Sequence, residues 1–410
     1  MGVGFTMCFP VGWLPKTKRA RYEQYFRDLA PVIPHWNVRA EFGESGFYVP
    51  LVPFEEGLYG SWEDGQLRIS ARTNSAGPGY HAYLIDLMDG LGVKPVAVED
   101  ETGYYDSRDF SALQAEMGAW LKRISSLLFE ISETQPEASN LSVSLAIDWL
   151  PEAAEHFTSC PLGHFEKEFF ERVQGGEDVG VEFFIWWHQA RDALFLKQAA
   201  RSMIVQYINW LPPETDEERE TLTATLACLE QAYALDPNLA FPAAEWVELA
   251  QLSGDTALAE TLQSRFGDVG EATLGYRRGI VSSNVNGWRF SHSGKMHADR
   301  DPDGALVYWD DKGTIRLSTA TVEFNGEVSN KSEALLNSAM GNEAGYAPMG
   351  LRNAEVAAQI RHTQTEEDGQ LLWYTSLLAA LEGELLILSL FYEDQRDRDW
   401  AVRICASVTR

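Results

Sequence analysis

Apolar and polar positions along the chain predict two α/β regions separated by a helical one. Between Lys16 and Leu29, the residues Tyr22, Tyr25, Phe26 and Leu29 fall on one side of a helix. The Gly-, Pro- and aromatic-rich run from Phe42 to Trp62 predicts strands and turns. Tyr83, Leu84, Leu87, Met88 and Leu91 mark a second helix. Leu113, Met117, Trp120, Leu121, Ile124, Leu127, Leu128 and Ile131 mark a long amphipathic one over Phe110–Ile131. The alternation of Leu141, Val143, Leu145 and Ile147 has the period of a strand. From Pro161 to about Val269 the pattern is nearly all helical. There Phe183, Phe184, Trp186, Trp187, Ala190, Leu194 and Phe195 would cover most of one helix, which predicts that it is buried and that His188 is a core histidine.

The last third returns to mixed structure. Trp288–Phe290, Leu306–Trp309 and Arg316–Phe324 predict strands, and Lys331–Met340 and Asn353–Arg361 predict helices. Trp373–Ala380 and Leu385–Tyr392 flank Glu382-Gly383 as a hairpin, and Trp400–Val408 predicts a closing helix. One stretch is written twice. Trp62-Glu63-Asp64-Gly65-Gln66-Leu67-Arg68-Ile69-Ser70 and Trp309-Asp310-Asp311-Lys312-Gly313-Thr314-Ile315-Arg316-Leu317-Ser318 share a Trp, an acidic pair, a Gly turn and an alternating strand. The expected fold class is therefore α+β: two similar α/β modules, residues 1–157 and 272–410, joined by an all-helical region, 158–271. Within that region Ala227–Leu235, Asp236-Pro237, Phe241-Pro242 and Ala243–Leu252 resemble one tetratricopeptide-type hairpin. A solenoid needs several such units, so this one reads as part of a helical connector.

Two local motifs suggest chemistry. Gly77-Pro78-Gly79, between a strand and a helix, can aim backbone N–H groups at an anion, or can simply be a tight connection with Pro at the helix start. It lacks the Lys of a P-loop and the GxGxxG spacing of a dinucleotide site. His81 beside it reads as a base or as a capping histidine. Asp299-Arg300-Asp301-Pro302-Asp303-Gly304, followed by Asp310, matches part of a calcium loop. Asp in place of the terminal Glu, Pro302 within the turn and strand-like flanks favour an acidic β-turn instead. His292 and His297 precede it without HxxxH or HExxH spacing. No catalytic, cofactor or metal residue is assigned.

Composition changes the picture mainly through charge. Against 33 Lys and Arg stand 61 Asp and Glu in 410 residues, a net charge of −28. That field repels nucleic acid and anionic membranes and favours a basic partner. Cys8, Cys160, Cys228 and Cys405 are scattered without metal spacing, which fits a reducing compartment. No apolar run is long enough to span a bilayer, and no signal peptide is evident, so a cytoplasmic protein is expected.

The order of Tyr308–Thr319, two helices, the Trp373/Leu385 hairpin and a closing helix resembles small α/β domains of bacterial immunity proteins. Those proteins neutralise toxins of contact-dependent and type VI secretion systems. The module is also similar in outline to the Mog1/PsbP-like sandwich. The resemblance implies a cytoplasmic protein that blocks one cognate, basic toxin domain. Its expected contacts are Glu99, Asp100 and Glu101; Asp299, Asp301, Asp303, Asp310 and Asp311; and Glu366 and Glu367 with Asp368. Two other functions remain open. One is a hydrolase reversing a toxin's modification, centred on His81 or between His297 and Asp303. The other is a scaffold docking through the helical middle.

Overall fold

The computed structural model describes residues 2–12, 15–55, 57–135, 141–145, 149–152, 156–324, 330–341, 343–367 and 369–410. It is an α+β protein with antiparallel sheets. The chain divides into two compact units, Met1–Ile147 with Ala153–Tyr276, and Asp148–Glu152 with Arg277–Arg410.

The first unit is built on a six-stranded antiparallel sheet. Its strands are β1 (Gly4–Pro10), β2 (Glu41–Phe42), β3 (Gly46–Val49), β4 (Leu58–Glu63), β5 (Gln66–Arg72) and β6 (Ala97–Asp100), in the order β2-β3-β4-β5-β1-β6. Phe5, Met7, Phe9, Leu67 and Ile69 point to one face and are buried. Helices α1 (Pro15–Arg27) and α2 (Pro78–Asp89) cover that face through the ring contacts Phe9–Tyr22, Phe26–Phe47 and Phe5–His81. Helices α3 (Tyr104–Ser107) and α4 (Phe110–Thr134) follow; α4 buries the predicted stripe through Leu113, Met117, Trp120, Leu121 and Leu128.

The helical region does not form a module of its own. After β7 (Trp149–Pro151), which pairs within the second unit, come β8 (Thr158–Cys160) and β9 (Gly163–Phe165) as a short hairpin. Then follow α5 (Lys167–Gln174), α6 (Gly180–Phe183), α7 (Ala193–Gln206), α8 (Asp216–Leu235), α9 (Ala243–Leu252) and α10 (Thr256–Phe266). One continuous apolar core runs from Phe5 and Leu84 through Phe184 and Met203 to Leu229 and Trp246. The expected boundary between residues 157 and 158 is therefore corrected: the helices have no separate core to fold around. The segments read as a tetratricopeptide-type hairpin are the end of α8 and the whole of α9.

The aromatic run after Phe183 is likewise not one helix. A short helix ends at Phe183, and the chain is extended at Phe184 before α7 begins at Ala193. The reason lies in the Gly-Pro-Gly connection. Trp186 N–H donates to Ala76 O at 2.8 Å and Gly79 N–H to Trp186 O at 2.9 Å, so this segment bonds as an extended strip against the start of α2. The N–H groups of the connection are used within the chain: Gly77 donates to Thr73 O and Gly79 to Trp186 O, and Pro78 has none. The buried Glu55 carboxylate accepts the N–H groups of Ser75 at 2.8 Å and Ala76 at 2.9 Å. His188 is exposed and bonded to Asp192, not buried in a core.

The second unit holds β10 (Ile280–Val285), β11 (Trp288–Ser293), β12 (His297–Arg300), β13 (Leu306–Asp310), β14 (Gly313–Thr321), α11 (Lys331–Met340), β15 (Ala347–Pro348), β16 (Ala357–Glu367), β17 (Gln370–Leu381), β18 (Glu384–Tyr392) and α12 (Arg398–Ala406). A seven-stranded antiparallel sheet runs β12-β13-β14-β18-β17-β16-β15, and a smaller sheet runs β11-β10-β7. Ile315, Leu377 and Leu388 pack with Trp288, Phe290 and Ile404 on one face. Leu335 and Leu336 of α11 pack on Leu378, Ala380 and Leu385 on the other. The expected helix over Asn353–Arg361 is instead turn and the start of β16, because every residue from Ala357 onward pairs with β17. Long-range pairing overrides local periodicity there.

The duplicated Trp stretch is a hairpin corner both times, with a one-residue difference. The first turn is Asp64-Gly65, both at positive φ, and Trp62 pairs with Leu67. In the second, Asp311-Lys312 make the turn and Trp309 pairs with Thr314. Lys312 is the extra residue. It turns Trp309 to the face opposite Ile315, whereas Trp62 shares the face of Leu67. The two sheets also differ in strand order, so the likeness of the two end modules is confined to this corner and to the antiparallel sheet it enters.

Gly79 has no room for a side chain: an added Cβ would lie 2.1 Å from Trp186 Cδ1 and 2.3 Å from His188 O. Gly79→Ala is expected to destabilise the protein by about 2–3 kcal/mol in urea unfolding. A loss below about 0.5 kcal/mol would mean that the 184–188 strip is not held against α2.

Candidate functional site: an acidic sheet edge

The three expected acidic segments share one property. Each lies at or beside the edge of a sheet. β6 ends the first sheet, β12 ends the second, and Glu366 lies where β16, past its short pairing with β15, has only β17 as a neighbour.

At β6 the pleat separates the three carboxylates. Successive side chains of a strand point to opposite faces. Glu99 and Glu101 are exposed, while the Asp100 side chain is only 4% exposed. Asp100 is therefore corrected from a contact residue to an internal one. Its Oδ1 lies 3.2 Å from His81 Nε2 and accepts Thr102 N–H at 2.9 Å and Thr102 Oγ1–H at 2.8 Å; Oδ2 accepts Tyr105 N–H at 2.7 Å. Burial pushes this carboxyl up, but the hydrogen bonds from His81, Tyr105 and Thr102 outweigh burial and hold it well below the usual range. His81 has no solvent exposure, and its Nδ1 lies 3.0 Å from Thr73 Oγ1. Its ring is edge-on to Phe5 and Tyr104. Both ring nitrogens are thus engaged inside the fold, and the work of this histidine is to fasten α2 to the end of β6.

The outward glutamates border a depression of about 640 Å³ on the uncovered face of the sheet. Gly2, Gly4, Thr6 and Ser70 line it, with Tyr59, Arg72, Glu99 and Glu101 around them. The register sets this row: Tyr59 is opposite Ser70, Ser70 opposite Thr6, and Thr6 opposite Glu99. Tyr59 is 47% exposed, with its ring 4.9 Å from that of Tyr48. Glu101 is partly committed, since its Oε2 accepts Gly4 N–H at 3.0 Å. Sequence reasoning found Glu99 and Glu101 and missed Tyr59, Thr6 and Ser70. The signal was available in Leu67-Arg68-Ile69-Ser70, whose alternation assigns Ser70 to the solvent face.

The calcium-like loop is an acidic turn clamped by an arginine. Asp301 Oδ1 accepts Ala305 N–H at 2.9 Å, and its Oδ2 accepts Arg316 Nε–H at 2.7 Å. Asp303 accepts from the same guanidinium. Hydrogen bonding with Asp301 and Arg316 holds the Asp303 carboxyl at about 2. Asp299 and Asp311 are exposed. Asp310 is half-buried, accepts Lys312 N–H in the hairpin turn, and is pushed up by that burial. Among the described residues no group of three or more His, Cys, Asp and Glu is placed to hold a metal. His297 is buried with its ring stacked at 5.4 Å on Trp309, and His292 is buried beside Ser283, Phe290 and Tyr308, where burial lowers it to about 4. Glu366 is exposed. The side chain of Glu367, and Asp368 entirely, lie outside the described residues. All four cysteines are free thiols, and among the described residues no helix is long and apolar enough to cross a membrane.

No family model matches this chain, and no curated protein matches it. Among solved structures, the solution structure of cyanobacterial PsbP from Synechocystis sp. PCC 6803 is similar over 35% of this chain and 98% of its own, at 9% identity and a TM-score of 0.19. Overlap at that level assigns no function.

Asp100 titrates lower in the folded chain than in the unfolded one. The stability it contributes is present above about pH 4, the unfolded value, and is lost as pH falls below it. Asp100→Asn is expected to cost about 3 kcal/mol at pH 7, measured by urea unfolding, and the deficit should shrink as pH drops below about 4. A deficit that stays constant from pH 7 to pH 3 would show that the carboxylate charge is not what holds the edge.

Proposed function

We propose that this chain is a binding protein of the immunity type, which occupies and blocks a basic toxin domain. The observation that carries the reading is the depression beside β6. Two outward glutamates and a half-exposed tyrosine border an uncovered sheet face in a chain of net charge −28. Exposed carboxylates attract a cationic surface over roughly a Debye length, about 8–10 Å at physiological salt. An exposed Tyr adds apolar area and a face for Lys or Arg. Blocking needs no turnover, so it places no demand on a reactive side chain.

The hydrolase reading finds less support. Its two expected centres are His81, fully buried with both nitrogens engaged, and His297, buried against Trp309. A scaffold docking through the helical middle would use the outer surface of the first unit, since those helices share the core of its sheet.

The test is affinity capture of the tagged full-length protein from its own cells, washed at low and then high salt. The expected result is one stoichiometric partner whose isolated domain is toxic and is neutralised at a one-to-one ratio. Glu99→Lys should slow association about tenfold at low ionic strength, with the difference shrinking at 0.5 M salt. Neutralisation at substoichiometric protein, or no toxic partner, would sink the proposal. Unchanged association kinetics for Glu99→Lys would move the contact away from β6.

A further inference from the structure

We infer that β6 takes up an extended basic segment of the partner as an added strand. This rests on the reading above that the partner is basic, and it names where and how the partner would bind. β6 is the terminal strand of its sheet, and among the described strands it pairs with β1 alone. Glu101 N–H bonds inward to Gly4 O. The alternation of an antiparallel ladder then makes Glu99 bond inward as well and turns the N–H and C=O of Val98 to the open side. An edge of this kind is a template for another strand.

The side chains define the occupant. Glu99 and Glu101 lie on the outer face, one strand spacing from any added chain, so positions i and i+2 of that chain meet carboxylates. On the alternate parity Val98 is half-buried, and Val96, whose N–H bonds inward to Cys8 O just before the strand, is 58% exposed. A segment alternating Lys or Arg with an apolar residue therefore satisfies both faces. A second copy of this edge does not, because it would bring Glu99 and Glu101 against like charges. The charges thus guard the edge against self-pairing and leave it open to a cationic strand. The end of β6 is fixed in advance by the buried Asp100–His81 contact and by the Thr102 and Tyr105 N–H groups, so little ordering remains for binding to supply.

The test uses the full-length protein and a fluorescein-labelled eight-residue peptide alternating Lys and Val, blocked at both ends. Its partner probe is the same peptide with alternate amides N-methylated, which keeps charge and removes strand donors. Anisotropy at low salt is expected to show saturable binding of the first and at least tenfold weaker binding of the second. Val98→Pro, which removes the outward N–H without entering the β1 ladder, should weaken the first peptide by a similar factor while thermal unfolding stays cooperative. Equal binding of the two peptides would overturn strand addition and leave charge attraction alone, and so would no binding of either up to 1 mM. If a natural toxic partner is captured equally well by Val98→Pro, the edge proposal fails and the basic-partner reading stands. If no toxic partner is captured either, both fail.

Discussion

A sheet that does not close has two edges, and much of the first unit is arranged around securing one of them. The fastening is the contact between Asp100 at the end of β6 and His81 on α2. Asp100 takes four hydrogen-bond donors or near donors in an almost solvent-free position. A carboxylate in such a place is costly unless each lone pair is used. Here it is used, and one side chain ties strand, helix and the following turn together. Thr73 on the other nitrogen of His81 bonds back to Val3 O, which brings the chain next to β1 into the same network. If that fastening loosens, Glu99 and Glu101 lose their fixed orientation along with it.

The same logic operates wherever this acidic chain brings a charge inside. Glu55 is buried just before α2 and takes the N–H groups of Ser75 and Ala76, while the N–H groups of Gly77 and Gly79 donate to the carbonyls of Thr73 and Trp186. Glu245 is buried and takes the N–H groups of Thr273 and Leu274. Arg316 takes up two of the carboxylates of the Asp299–Asp303 turn. The groups of both motifs that suggested a bound ion are thus largely engaged within the chain. The carboxylates left facing water, Glu99 and Glu101 among them, are the ones whose charge is available to another molecule.

How much of this was legible in the sequence depends on the range of the interaction. Helix α4 was readable from its own residues, because its apolar stripe repeats every 3.6 positions and Asp109 caps its first turn. The β17–β18 hairpin was readable too, since Glu382 and Gly383 carry the positive φ its turn requires. The Phe183–Phe195 run misled because Phe183–Trp187, buried as a block, has no periodicity to distinguish helix from extended chain, and His188–Arg191 beyond it are exposed. Asn353–Arg361 misled because its partner β17 lies beyond the window in which a helix is judged. The His81–Asp100 pair spans 19 positions and no local rule connects them. Yet Glu99-Asp100-Glu101 carried a clue: in a strand with one face on a core, alternation puts the middle acid on the opposite face from its two neighbours, so the three cannot all face water.

That alternation is also why charge alone is a poor guide to the working surface. Counting acids along the chain gives β6 and the residue after it three carboxylates, but the pleat presents two and spends the third on rigidity. The spent one is what makes the other two useful. An edge strand free to fray would present glutamates in many directions and would have to be ordered on binding, at about 1–2 kcal/mol per residue of backbone. With Asp100 held by His81, Thr102 and Tyr105, much of that cost is met in folding. In the proposed complex the edge would meet a partner with the Val98 N–H and C=O already turned outward and its charges already on one face. Rigidity at an exposed edge normally invites aggregation; negative charge at Glu99 and Glu101 removes that hazard for identical chains and not for cationic ones. Under the proposal, the fixed carboxylate inside and the two outside act together, the first setting the geometry and the others selecting which strand the geometry would admit.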